Sequence, residues 1–366
     1  MMKVTLTNEI LSYITEIEHN RYKVSSVKLS KPVMNRLRKN SKKKSSYASN
    51  KIEGNPLSEK QVDEVIERDE RKHYLKPEQE VRNYFLALNY LEEKVSKKEK
   101  FSQKLILDVQ KLVEKGASKE KIGLRGSMPP GVLFAVYDSK TGNPDYIPPE
   151  YCDIPELLDE LVEYVNTTDD HPLIVAAVVH YQLVTIHPFE DGNGRTARLL
   201  SGYIMDLNGY GFNGIGSLEE YFAYDIDEYY ESIQMGLPAL YYSGRENPPH
   251  PEIWINYFLR MVKLYSGKVC DLQLASEEED IAGSLSFLKG KEKELLQFLI
   301  RNYRGEFTPI EVSRELSVSN KTVINRLAVL VKNGFAVPVF ANQRIRSYEL
   351  SEFTKDYQKE IMKEIS

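Results

Sequence analysis

The chain has 366 residues, enough for two or three domains that each bury a core. Its composition is that of a globular protein, 41% hydrophobic and 28% charged, and a net charge of −5 argues against a surface that binds nucleic acid all over. Cys152 and Cys270 offer no disulfide framework and no zinc spacing, the charged first residues form no signal peptide, and the longest apolar run, 173–179, is too short to span a bilayer. A cytoplasmic protein without a membrane partner is the expectation.

Most of the chain reads as helix. Apolar residues recur at spacings of three and four over 62–67, 79–95 and 104–114, interrupted by Gly54-Asn-Pro56 and by the Gly/Pro-rich stretch 123–130. Residues 132–137 are short and β-prone, and 145–147 follow a turn at 140–143, which together signal a β-hairpin. Helical periodicity returns at 154–166. Residues 173–186 form a helix so uniformly apolar that it should be buried on every side, ending where Pro188 forbids its continuation. Amphipathic helices are expected at 200–207, 226–234 and 251–266. Beyond the charged run 276–280 come three short helices (292–302, 309–316, 321–333) and two strands (335–340, 344–350), in winged-helix order.

The segment His187-Pro-Phe-Glu-Asp-Gly-Asn-Gly-Arg-Thr-Ala-Arg198 carries the chemistry. Glycine lets the backbone of Gly192-Asn193-Gly194 turn several N–H groups into one concavity, and a helix beginning near Arg195 adds its positive end. Arg195 and Arg198, three apart, share a helix face at that end, where each cation costs about 0.3–1 kcal/mol. A polyanion over the turn reverses the sign, and a triphosphate suits two guanidinium forks better than a lone carboxylate does. Asp191 would repel phosphate unless magnesium lay between them. His187, titrating near neutral pH, suits a general base for a hydroxyl nucleophile. Phe189 should anchor the loop in the core. The residues alone therefore give a magnesium–polyphosphate site.

These residues match the signature H-x-F-x-[D/E]-G-N-G-R-x-x-R at every specified position, and the chain over 51–263 resembles the Fic family. The resemblance implies a mainly α fold, an all-helical Fic core with a β-hairpin flap, followed here by a C-terminal winged helix-turn-helix domain. It also implies transfer of AMP from ATP to a Ser, Thr or Tyr hydroxyl of a target protein, with pyrophosphate leaving. His187 would be the base and Asp191 the Mg2+ ligand; Gly192, Asn193, Gly194, Arg195 and Arg198 would hold the phosphates. The hairpin would align the target segment by strand addition. Tyr229 and Tyr230 are candidates for adenine contact by the same resemblance, and equally for core aromatics.

Ser49-Asn-Lys-Ile-Glu53-Gly54 matches the family's inhibitory pattern [S/T]-x-x-x-E-[G/N], and its place before the loop resembles the second class of the family. Glu53 would pair with Arg198 and so mis-set ATP; Ser49, four residues earlier, would reach the same face. The same glutamate could instead position a water that removes AMP. The organisation expected is an N-terminal helical region with the inhibitory motif (1–100), the catalytic core (101–268), a linker (269–285), and the winged-helix domain with a charged tail (286–366). Between residues 289 and 349, eleven basic residues stand against six acids. That balance leaves open DNA, a protein partner, or a nucleotide-sensing DNA-binding regulator, and the sequence is silent on a homo-oligomer.

Overall fold

The computed structural model describes residues 2–27, 29, 31–67, 73–118, 122–132, 134–137, 142–235, 248, 250–341 and 344–365. The chain divides into two compact units, one of Met1–Tyr22 with Leu37–Val269, the other of Lys23–Arg36 with Cys270–Ser366. Among the described residues no helix is long and apolar enough to cross a membrane.

The first unit is built around one helix. In chain order it draws on α1 (Asn8–Ser26), α2 (Lys31–Ile52), α3 (Glu59–Glu67), α4 (Lys76–Ser96) and α5 (Gln103–Glu114). The strands β1 (Val136–Tyr137) and β2 (Pro144–Tyr146) follow, then α6 (Ile154–Thr167), α7 (Pro172–Ile186) and α8 (Asn193–Leu207). The set closes with α9 (Glu219–Phe222), α10 (Ile226–Gln234) and α11 (Pro251–Ser286). Helix α7 is buried nearly throughout, as its all-round apolar sequence requires. It starts on Pro172 at the first helical position, and the His171 ring accepts from the Leu173 amide. Helix α8 packs along α7, α4 and α5 pack on α8, and α6 packs on α7. From α11, Trp254 donates its indole N–H to the Ala177 carbonyl of α7 at 2.8 Å.

The hairpin pairs antiparallel, Val136 opposite Tyr146 and Tyr137 opposite Pro144. Of its expected turn, 140–143, residues 140 and 141 lie outside the described residues. Tyr146 donates its hydroxyl to the Thr185 carbonyl, which ties the hairpin to the end of α7 beside the loop.

The expected helix at 251–266 runs on as α11 through 269–285, the stretch read as a linker. Its glutamates are good helix formers, and no proline interrupts the stretch.

In the second unit, α12 (Gly290–Asn302), α13 (Pro309–Glu315) and α14 (Asn320–Lys332) precede an antiparallel pair, β3 (Ala336–Ala341) and β4 (Arg344–Leu350). Short helices α15 (Glu352–Asp356) and α16 (Gln358–Ile365) end the chain. Leu295, Leu299, Val312, Val323, Leu327 and Phe335 share one core. Thr308 and Glu311 cap α13 reciprocally, and Ser319 caps α14. Phe307 exchanges both backbone hydrogen bonds with Tyr348, each at 2.8 Å, so the segment before α13 pairs with the hairpin.

Candidate active site

Helix α7 ends on His187, whose backbone turns left-handed at φ 48°, and Pro188 follows. The reversal leads through Phe189, which is buried in the core, to Gly192 at φ 81° and straight into α8. Asn193 holds this loop shut. Its side-chain amide donates to the Phe189 carbonyl at 2.8 Å and accepts from the Phe189 amide at 3.0 Å. With both side-chain atoms engaged, Asn193 can offer an anion its backbone N–H. Helix α8 begins at Asn193, two residues earlier than the sequence suggested, so the turn amides belong to its first turn.

His187 is half-buried, with Nδ1 3.2 Å from the Val184 carbonyl. A carbonyl can only accept, so Nδ1 carries the proton and the neutral ring keeps its lone pair on Nε2. Burial drives its pKa down to about 4, helped by Arg125 and opposed by the Val184 bond and the charges of Glu53 and Asp191. The ring is therefore neutral at pH 7.

Two acids flank the turn. Asp191, half-buried, accepts at Oδ1 from the Gly192 amide at 2.9 Å and from Arg195 Nη2 at 3.3 Å. Arg195 is drawn into the protein: Nη2 also donates to the wholly buried Glu114 at 3.0 Å, and Glu80 lies 3.9 Å from Nη1. Burial raises the Glu114 carboxyl above its ordinary value, and Arg195 reverses only part of the rise. A side chain on Gly192 would place Cβ 2.6 Å from Glu114 Oε1, so this glycine serves both the positive φ and the acid behind it.

Arg198 faces the inhibitory segment. Its Nε donates to Ser49 Oγ at 2.8 Å, Nη2 to the Ser49 carbonyl at 3.1 Å and to Glu53 Oε1 at 2.6 Å. Burial would lower the pKa of this guanidinium, but the Glu53 charge prevails and raises it, so it stays a cation. The Glu53 carboxylate rests against Gly194, where a Cβ would stand 2.5 Å from Oε1. A carboxylate thus already sits in the concavity read from the sequence as an anion cradle.

Helix α2 delivers that carboxylate in register. Ser41, Ser45, Ser49 and Glu53 recur every fourth residue along one face. Ser41 Oγ accepts from the Gly216 amide at 2.7 Å, and Ser45 donates to the buried Glu219 at 2.7 Å. Tyr84 and Ser217 donate to the same carboxylate, at 2.9 and 3.0 Å.

Residues 57–205 of this chain match the Fic/DOC family model. Over that segment the chain is similar to the Fic/DOC family. Over 67 residues it is 46% identical to protein adenylyltransferase fic-1 of Caenorhabditis elegans, covering 18% of this chain and 13% of the relative. Over 206 residues it is 27% identical to protein adenylyltransferase Fic of Drosophila grimshawi, covering 54% of this chain and 40% of the relative. These matches thus span well under half the length of those curated relatives. In fold, the chain is similar to a Fic family protein from Desulfovibrio desulfuricans G20, with a TM-score of 0.60 at 21% identity over 96% of this chain and 98% of that one. A fragment of C. elegans Fic-1 gives a TM-score of 0.55 at 24% identity over 73% and 72% of the two chains.

Three residues that sequence reasoning passed over help to hold this loop and the segment that faces it: Glu114, Glu219 and Arg125. The Arg125 amide donates to the Pro188 carbonyl at 2.9 Å, its Nε to the His187 carbonyl at 2.8 Å, and its Nη2 to the Pro149 carbonyl. Its guanidinium lies 4.7 Å from the centre of the Phe134 ring on the approach to the hairpin. Arg125 therefore fixes the backbone on which His187 sits. A single arginine among Gly123 to Pro130 carried no periodic or motif signal.

The tyrosine pair separates. Tyr229 is buried among His180, Phe222 and Trp254, its hydroxyl 2.8 Å from His180 Nε2 and 3.4 Å from Arg198 Nη1. Its ring has no open face for a base, and it acts on the position of Arg198. Tyr230, 44% exposed, keeps a surface that adenine could meet.

Proposed function

We propose that the chain is a self-inhibited protein adenylyltransferase that moves AMP from ATP to a hydroxyl of a target protein. The observation that carries this reading is the seated Glu53 carboxylate: it marks an anion position between Gly194 and Arg198, on the turn that holds His187. With Glu53 turned away, Arg198 can take an outer phosphate, and the amides of Gly192, Asn193 and Gly194 can meet phosphate oxygens. Arg195, held by Glu114 and Asp191, supplies positive potential from behind the turn.

Nε2 of His187 takes the proton as the target oxygen bonds to the α-phosphorus. The bond from that phosphorus to the bridging oxygen breaks, and pyrophosphate leaves with the electron pair. The donor set fits magnesium: one partly exposed carboxylate, Asp191, stands beside the phosphate turn. When bound, the ion would neutralise phosphate charge. The hairpin, tied to α7 through Tyr146, is the surface on which the target's strand would lie, with its hydroxyl toward His187.

A second reading rests on the place of the Glu53 carboxylate, over Gly194 on the turn that carries His187. With AMP already on a target, Glu53 could orient a water for hydrolysis, giving AMP removal by the same site.

Incubation with ATP labelled at the α- or the γ-phosphate tests the first reading. Protein should take up α-label only, and His187→Ala should abolish it. Uptake of γ-label alone would refute adenylyl transfer.

A further inference from the structure

The second unit presents a surface that adenylyl transfer does not use. Four residues, 316–319, join α13 to α14, and the β3–β4 hairpin follows α14. Helix α14 buries Val323, Leu327 and Leu330, and turns Lys321, Ile324, Asn325 and Ala328 outward. On β4, Arg344 and Arg346 are two apart and exposed, so they share one face of the hairpin.

The charges here are unbalanced. Among the described residues, no ion pair joins a carboxylate to Lys321, Arg326, Arg344 or Arg346. The nearby acids are engaged elsewhere. Glu306 accepts from Ser347, Glu311 closes the cap of α13, Glu315 accepts from Tyr303, and Glu349 pairs with Lys355. Cations left unpaired on one helix and one hairpin repel one another, and a polyanion spanning both relieves that repulsion.

The uncharged residues narrow the choice. Asn325 offers an amide that can bond the edge of an adenine, and Ile324 and Ala328 offer apolar groups that can meet a thymine methyl.

We propose that this face binds double-stranded DNA. The outward stripe of α14 enters the major groove, and Arg344 and Arg346 of the hairpin hold the flanking backbone. Three basic contacts, from Lys321, Arg344 and Arg346, should give a slope of log affinity on log salt of about −3.

The test titrates the full-length protein into a fluorescently labelled duplex with a randomised centre, read by anisotropy over a range of salt. Lys321→Glu, and Arg344→Glu with Arg346→Glu, should each weaken binding by about tenfold or more and flatten the salt slope. Lys291→Glu, the same charge change on the exposed side of α12, should alter affinity by less than about twofold. Absence of binding at low salt overturns the proposal, and so does equal weakening by Lys291→Glu, which would mean diffuse attraction. Capture of a protein by this face, without duplex binding, likewise overturns it.

Discussion

Glu53 and Arg198 stand 145 residues apart in sequence and 2.6 Å apart in space. The two halves of the pair are unequal. The guanidinium is buried and fastened by Ser49 and Tyr229, whereas the Glu53 side chain is 32% exposed. It lies in the turn just beyond α2, where Gly54 at φ 78° reverses the chain. Rotation of Glu53 alone would open the anion seat, while Ser41 and Ser45 hold α2 to Gly216 and Glu219. On the proposed reading the brake is the Glu53 side chain, and the helix is its mount.

Ser49→Ala separates mount from brake. The change strands the buried Arg198 Nε–H and should cost about 1–3 kcal/mol in chemical denaturation. Because Glu53 stays in place, AMP transfer should rise by less than about threefold. Unchanged stability would show that Ser49 does not hold the guanidinium.

Gly194→Ala probes the seat. In an ordinary helix this exchange stabilises by about 1 kcal/mol. Here the new Cβ would meet Glu53 Oε1 at 2.5 Å and Arg198 Nη1 at 3.2 Å, so it should destabilise the wild type. Combined with Glu53→Gly, most of that penalty should disappear, while the apparent KM for ATP rises. Additive stability effects in the double-mutant cycle would place Glu53 elsewhere.

Glu114→Ala removes the buried partner of Arg195, and the loss in folding free energy should approach about 3 kcal/mol. Glu114→Gln, which keeps an acceptor oxygen, should cost clearly less. Equal losses would mean that an acceptor oxygen alone does not restrain Arg195 and that the charge of Glu114 does.

What the sequence made legible has a physical pattern. The loop from His187 to Arg198 was readable because base, turn and cations lie within one short segment. Phe189 and the buried α7 followed from apolarity alone. Arg125, Glu114 and Glu219 act through contacts across 62, 81 and 174 residues, and no local spacing announces such pairs. The glycines were read as giving backbone freedom. They also leave room for two carboxylates, Glu114 behind Gly192 and Glu53 over Gly194, which only packing reveals. The run 276–280 was read as part of a linker from its charge, and charge does not prevent a helix there.

The pH dependence follows from His187. Its pKa, about 4, lies below the ordinary 6.5, so the free enzyme keeps the base neutral well into acid. In a Glu53→Gly background, kcat/KM for ATP should keep more than about half its value between pH 7.5 and 5.5, where an unshifted histidine would lose about 90%. An acid limb centred near pH 6.5 would contradict the burial argument. For stability the sign is the same: the unfolded chain takes up a proton below about pH 6.5 that folded His187 refuses until about pH 4, so acid weakens the fold across that window.

The most direct test of the whole account is the initial rate of AMP incorporation from α-labelled ATP, wild type against Glu53→Gly, at equal protein and saturating magnesium. Removal of the carboxylate from the Gly194–Arg198 seat should raise the rate by more than about tenfold, equivalent to at least about 1.4 kcal/mol. An unchanged or lower rate in Glu53→Gly would contradict it.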